Sequence, residues 1–210
     1  MPNHVTSRIT ITGEPLTIAE IMNACFRKEK HEVYPRLIES AKKDDIDGEN
    51  ARKRIAEIEA KPPYDVFDLN AVIPKPLYIA DGNGLFGGSR EEQTGRNWYK
   101  WNTTHWGTKW NAYETNIISN NGSELVFEFQ TAWSEPEPVI KRLASDFHDL
   151  KIKHEFIDEG WCFCGIRQYE RGCVKSEVYS TDHKNTETRS IWERLELELR
   201  GNDMNADNDE

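Results

Sequence analysis

Residues 98–140 read WYKWNTTHWGTKWNAYETNIISNNGSELVFEFQTAWSEPEPVI. From Glu124 to Ala132, Leu125, Phe127 and Phe129 alternate with Val126, Glu128 and Gln130, the two-residue period of a strand with one buried face. Ala112 to Ser119 precedes it across Asn120-Asn121-Gly122-Ser123, a turn-rich connection that predicts a β-hairpin. Ser134 and Glu137 then have capping-box spacing, and Val139, Ile140, Leu143, Ala144 and Phe147 recur at helical period. Strand, turn, strand and helix in that order predict a helix packed on an antiparallel sheet.

The flanking sequence extends that sheet. Val5, Ser7, Ile9 and Ile11 alternate with Thr6, Arg8, Thr10 and Thr12, which predicts a first strand ending at Gly13. Thr17 and Glu20 have capping-box spacing, Leu16 and Ile21 that of a hydrophobic staple, and Ile18, Ile21, Met22, Cys25 and Phe26 share one helical face. Lys28 to Lys61 is densely charged and predicts an inserted helical hairpin, about residues 28–63, broken near Asp47-Gly48 and stopped by Pro62-Pro63. Asp65 to Ile73 reads as a strand closed by Pro74-Lys75-Pro76. Leu77 to Thr94 holds Gly82, Gly84, Gly87 and Gly88 without a dinucleotide or P-loop pattern, and reads as a flexible loop. Lys151 to Ile157, Trp161 to Tyr169 and Val174 to Thr181 read as strands, and Ile191, Trp192, Leu195 and Leu199 lie on a last helix ending at Gly201. The fold class is α+β, an antiparallel sheet with helices on one face in a single domain over residues 1–201, followed by a disordered acidic tail at 202–210.

The chain has 210 residues and a formal charge of −10, which argues against general phosphate-backbone binding and makes nucleic acid a poor partner. Apolar runs of three or four residues fall far short of a membrane span, and Met1 to Gly13 has no apolar signal core, so the expected location is the cytoplasm, with no membrane contact. The four cysteines are too sparse for a disulfide scaffold and read as reduced thiols, Cys25 as a small buried apolar residue.

Trp106-Gly-Thr-Lys-Trp-Asn111 and Phe129-Gln-Thr-Ala-Trp133-Ser-Glu-Pro136-Glu-Pro138-Val-Ile140 resemble motifs of the YubB-like family of plasmid- and phage-borne proteins. The opening Met-Pro-Asn followed by a strand, and the Asn-x-x-Ile-Pro-x-Pro element at Asn70 to Pro76, are similar to that family as well. The resemblance implies a ferredoxin-like part, about residues 111–181, and a mobile-element setting, and it names no reaction. The charged hairpin and the Asp/Asn tail match none of its patterns.

The candidate binding residues are Trp106, Lys109, Trp110, Asn111 and Trp133. One reading buries the indoles on a helical turn, with Asn111, Thr108 or backbone carbonyls accepting from their N–H groups. The other makes an exposed aromatic pocket with Lys109, Asn111 and His105 at its rim. Cys162, Cys164, Cys173 and His154 have a weak version of zinc spacing that alternating cysteines on a buried sheet face explain equally, so no metal and no cofactor is assigned. No nucleophile elbow, zincin helix or paired-carboxylate signature occurs; an enzyme would draw on His105, Lys109 or Glu159. By elimination the leading expectation is a non-catalytic accessory protein that binds a host or mobile-element protein. A nucleic-acid-binding module using the sheet face is the alternative.

Overall fold

The computed structural model describes residues 3–79, 97–202 and 204. It divides into two compact units, residues 1–26 with 67–210, and residues 27–66. The glycines at 82, 84, 87 and 88 and all of the acidic tail except Asn202 and Met204 lie outside the described residues. Among the described residues no helix is long and apolar enough to cross a membrane.

The larger unit is built on β1 (His4–Thr12), an inner strand of a six-stranded sheet. After it the chain forms α1 (Pro15–Cys25), and later β4 (Tyr113–Asn120), β5 (Glu124–Ala132), α6 (Glu137–Asp146) and β6 (Lys151–Asp158). β1 pairs antiparallel with β5, from His4 opposite Ala132 to Thr12 opposite Glu124, and with β6, from Val5 opposite Asp158 to Thr12 opposite Lys151. The order β4-β5-β1-β6 with α1 and α6 as crossovers is the split βαβ arrangement of a ferredoxin-like fold. β7 (Cys164–Glu170) and β8 (Cys173–Ser180) extend the sheet beyond β6 as a hairpin.

The alternation in sequence sets what each face buries. Ile9, Ile11, Leu125, Phe127, Phe129, Ile152 and Tyr169 meet Ile18, Ile21 and Cys25 of α1 and Val139, Ile140 and Leu143 of α6 in one core. Phe67 joins it with ring centroids 5.1 Å from both Phe127 and Phe129, an aromatic contact that adds to the buried area. α1 and α6 thus cover this face, but the expectation of helices on one face alone is corrected by the end of the chain. The last helix, α7 (Arg189–Leu195), takes the opposite face, where Trp192 and Leu195 pack with Ile157 and Cys164. It continues as a π-helical turn, Glu196–Arg200, and stops at Gly201.

Several local expectations are corrected. α1 starts at Pro15 with Glu14 as its cap residue, so Thr17 lies inside the helix and Leu16 is exposed; proline supplies the helical φ and needs no donor in the first turn. α6 likewise starts after Pro136 without a side-chain cap, and the Ser134 hydroxyl donates instead to the Gly107 carbonyl. The strand expected over Asp65 to Ile73 ends as β3 (Tyr64–Phe67), because the Asp68 carboxylate accepts from Asn70 N (3.0 Å) and turns the chain into α4 (Leu69–Val72).

The smaller unit holds β2 (Phe26–Glu29) paired with β3, and the helices α2 (Pro35–Ala41) and α3 (Ile46–Glu59). β2 replaces the start of the expected helical hairpin. The break falls at Lys42–Asp45 rather than at Asp47-Gly48: the Asp45 carboxylate accepts from Gly48 N (2.9 Å) and caps α3. Gly48 is required there because a Cβ would sit 2.0 Å from the Lys43 carbonyl oxygen.

Candidate functional site

The two tryptophan motifs interlock at one end of the sheet. Thr108 Oγ1 donates to Ala132 O (2.8 Å) and accepts from Ala132 N (3.1 Å), fastening the first motif to the end of β5. The Ser134 bond to Gly107 O joins the motifs again. Gly107 has φ +80, and a Cβ there would lie 2.8 Å from Pro138 Cδ, so glycine is demanded both by conformation and by the close approach. Upstream, Asn97 accepts from Lys100 N (3.0 Å) and caps α5 (Trp98–His105), which delivers Trp106 to the core.

The five candidate residues separate into two groups. Trp106 is buried, and its indole N–H donates to the Ile73 carbonyl (2.9 Å), so a backbone carbonyl supplies its partner. Asn111 is structural: its Oδ1 accepts from Leu69 N (2.8 Å) and Ala112 N (2.9 Å), and its Nδ2 donates to Asp68 (2.6 Å), which pins α4 beside β4. Lys109, Trp110 and Trp133 do come together. The Lys109 ammonium lies 4.8 Å from the Trp110 ring centroid and 4.6 Å from that of Trp133, between two indoles. Each such contact contributes roughly 0.5–2 kcal/mol, depending on how far water is excluded.

This arrangement is unusual for a lysine. The residue is only 5% exposed, while Trp110 and Trp133 are 39% and 36% exposed. The Lys109 carbonyl accepts from Asn102 Nδ2 (2.8 Å), which fixes the backbone, and no carboxylate among the described residues pairs with the ammonium. Trp133 holds φ +76, a left-handed conformation that costs a bulky residue about 1–3 kcal/mol, and its amide donates to Asn3 O (2.9 Å). Tyr99 meets Trp133 edge-on at 5.7 Å, and Tyr113 meets Trp110 at 6.5 Å. The rings are therefore braced from behind while their outer faces reach water.

Tyr113 connects this platform to a polar cleft of about 370 Å³ lined by His4, Glu114, Gln130, Glu159 and Arg200. Its hydroxyl bonds His4 Nδ1 (2.6 Å), and burial, with Glu114 and Glu159 nearby, pushes the phenol up to about 12. The three residues named for an enzyme thus point different ways. His105 stacks on Trp101 at 4.4 Å, Lys109 lies between the indoles, and Glu159 accepts from His4 N (2.7 Å) beside the cleft.

The zinc candidates are also separated. Cys164 is buried against α7, His154 lies on the opposite face beside Ser7 (3.1 Å), and Cys162 and Cys173 are exposed. Burial holds the His154 imidazole neutral, down to about 3 with Arg167 adding to the effect, and raises the Cys164 thiol to about 12.

A buried charge cluster escaped the sequence reading. Arg167 donates to Glu135 (2.7 Å) and Glu177 (2.5 Å), and its guanidinium stands 5.0 Å over the Phe156 ring. Burial raises the Glu135 carboxyl, with Arg167 pulling it back. The pair ties the segment before α6 to β7, a structural role. Its signal in the sequence was the phase of Arg167, which shares the inward face with Tyr169.

A family model described as the ferredoxin-like domain in Api92-like protein matches residues 105–198. The uncharacterized protein YubB of Escherichia coli (strain K12) is 32% identical over 107 residues, 50% of this chain and 72% of that one. The crystal structure of a protein api92 from Yersinia pseudotuberculosis aligns with a TM-score of 0.53 at 13% identity, over 87% of this chain and 99% of that one, a likeness of fold alone. The matched segment lacks β1, which the sheet places between β5 and β6, so the ferredoxin-like sheet is complete only with residues His4–Thr12.

Proposed function

The chain belongs to the family of YubB-like and Api92-like proteins with a ferredoxin-like domain, and from that premise we propose that it is a non-catalytic accessory protein of a mobile genetic element, binding a host or element protein through Lys109, Trp110 and Trp133. The observation that carries the reading is the pair of indoles, each more than one third exposed, braced around an ammonium that pairs with no carboxylate among the described residues. Rigid, partly exposed tryptophans beside a cation are the side chains that concentrate binding energy at protein interfaces, because they lose little conformational freedom on contact. A partner carboxylate brought over the rings would complete the ammonium's coordination in a water-poor setting. The mobile-element setting rests on the motif resemblance.

Use of the sheet for nucleic acid is disfavoured by two features. α7 and its π-helical turn cover the β1, β6 and β7 part of the sheet face opposite α1 and α6, which bases would need for stacking. Arg8, the cation on that face of β1, is already engaged by Glu128 (2.7 Å) and Glu198 (3.2 Å).

Affinity capture from host lysate tests the reading. The wild-type chain at micromolar concentration is expected to retain a protein that the Trp110→Ala/Trp133→Ala variant does not. Retention of nothing, or of the same proteins by both, overturns it.

A further inference from the structure

The smaller unit carries a second surface with a different chemistry. α2 buries no residue and α3 buries only Gly48 and Ala51, although two helices of this length need an apolar contact to be stable in water. Their large apolar side chains stay in reach of solvent, with Tyr34 and Ile46 each 73% exposed and Ile38 44% exposed. Tyr34, Leu37 and Ile58 line a groove of about 730 Å³, flanked by Arg36 and Arg54. Three of the unit's other cations are engaged within it. Lys28 is held by Asp65 (2.7 Å), Lys42 by Glu39 (2.5 Å) and Arg52 by the carbonyls of Ala41 (2.7 Å) and Lys43 (3.1 Å). Arg36 and Arg54 pair with no carboxylate among the described residues.

We propose that this groove docks an amphipathic, acidic helix of a partner protein, its apolar face seated on Tyr34, Leu37 and Ile58 and its carboxylates on Arg36 and Arg54. Charge complementarity selects the occupant. An acidic helix satisfies both guanidinium groups, and the apolar floor takes side chains spaced three and four residues apart. A second copy of the same groove would oppose arginine to arginine across a two-fold axis, which disfavours self-association here. α2 spans about 10 Å and α3 about 21 Å, so two to three turns of a docked helix fit. This proposal rests on other residues than the reading of Lys109, Trp110 and Trp133, and either can fail without the other.

The test is selection of helical peptides of about 15 residues, roughly 22 Å long, from a display library against the full chain, with those that survive stringent washing then titrated against Arg36→Glu/Arg54→Glu. Circular dichroism checks that this variant folds; if it does not, Arg36→Gln/Arg54→Gln replaces it. The surviving peptides are expected to carry Asp or Glu beside apolar residues at helical spacing. Their binding should weaken about tenfold or more in the variant and fall as salt rises toward about 0.5 M. Survivors that are basic or uncharged, affinity unmoved by the substitutions, or a dimer of the free chain that Tyr34→Ser dissolves would overturn the proposal.

Discussion

Trp106 and Trp133 belong to the two motifs that mark this chain, and the structure treats them in opposite ways. Trp106 has its N–H on the Ile73 carbonyl and its ring in the main core. Trp133 sits in a left-handed backbone conformation with more than a third of its surface in water and a lysine ammonium against its ring. One dense run of tryptophans thus contains two devices. One closes the end of the sheet, and the other presents rigid rings outward at a cost in backbone strain. A ring needed only for packing has no reason to hold that conformation.

The largest expected effect lies on the packing side. Trp106→Ala is predicted to cost about 3–5 kcal/mol of stability in urea unfolding, from lost burial plus the cavity left behind. Arg167→Met should cost a similar roughly 3–5 kcal/mol, because it leaves the Glu135 carboxylate buried without its cation. A loss below about 1 kcal/mol for either would break the division between packing and presentation.

The next effect is a pH dependence of the same core. His154 is neutral in the fold, with its proton affinity lowered to about 3 by burial, whereas in the unfolded chain it titrates near its ordinary value of 6.5. The unfolded state therefore binds the extra proton between those values. The stability His154 contributes is complete above about pH 6.5 and declines as pH falls toward 3. Unfolding free energy attributable to this group should fall by roughly 2 kcal/mol between about pH 7 and pH 5. His154→Asn should flatten that slope, and an unchanged slope would place the acid sensitivity elsewhere.

The smallest effects fall on the presenting side. Trp133→Gly removes strain at φ +76 together with a cation–π contact, so its net change in stability should stay within about 1 kcal/mol. The same substitution should abolish partner capture. Loss of stability comparable to that of Trp106→Ala would return Trp133 to the core.

Much of the fold could be read in advance because period is a property of single segments. Leu125, Phe127 and Phe129 announce a strand, and Val139, Ile140 and Leu143 a helix, whatever else the chain does. Helix starts were less legible. The Thr17/Glu20 and Ser134/Glu137 spacings match capping boxes, yet Pro15 and Pro136 set the starts, and Ser134 serves a partner 27 residues away. The site was legible in its membership but not in its division, since which rings turn outward depends on Gly107, Pro138 and Ala132, contacts that no local pattern encodes. Arg167 was missed for the same reason: Glu135 lies 32 residues away on another element.

Covalent tryptophan footprinting read by mass spectrometry, on the free chain and on its complex with the captured partner, separates packed from presented rings. Trp110, Trp133 and Trp161 should be labelled in the free chain, and Trp98, Trp106 and Trp192 protected. In the complex Trp110 and Trp133 should become protected while Trp161, 38% exposed and outside both motifs, stays reactive. Trp110 and Trp133 unreactive in the free chain, or equally labelled in the complex, would rule out presentation of these two rings to a partner.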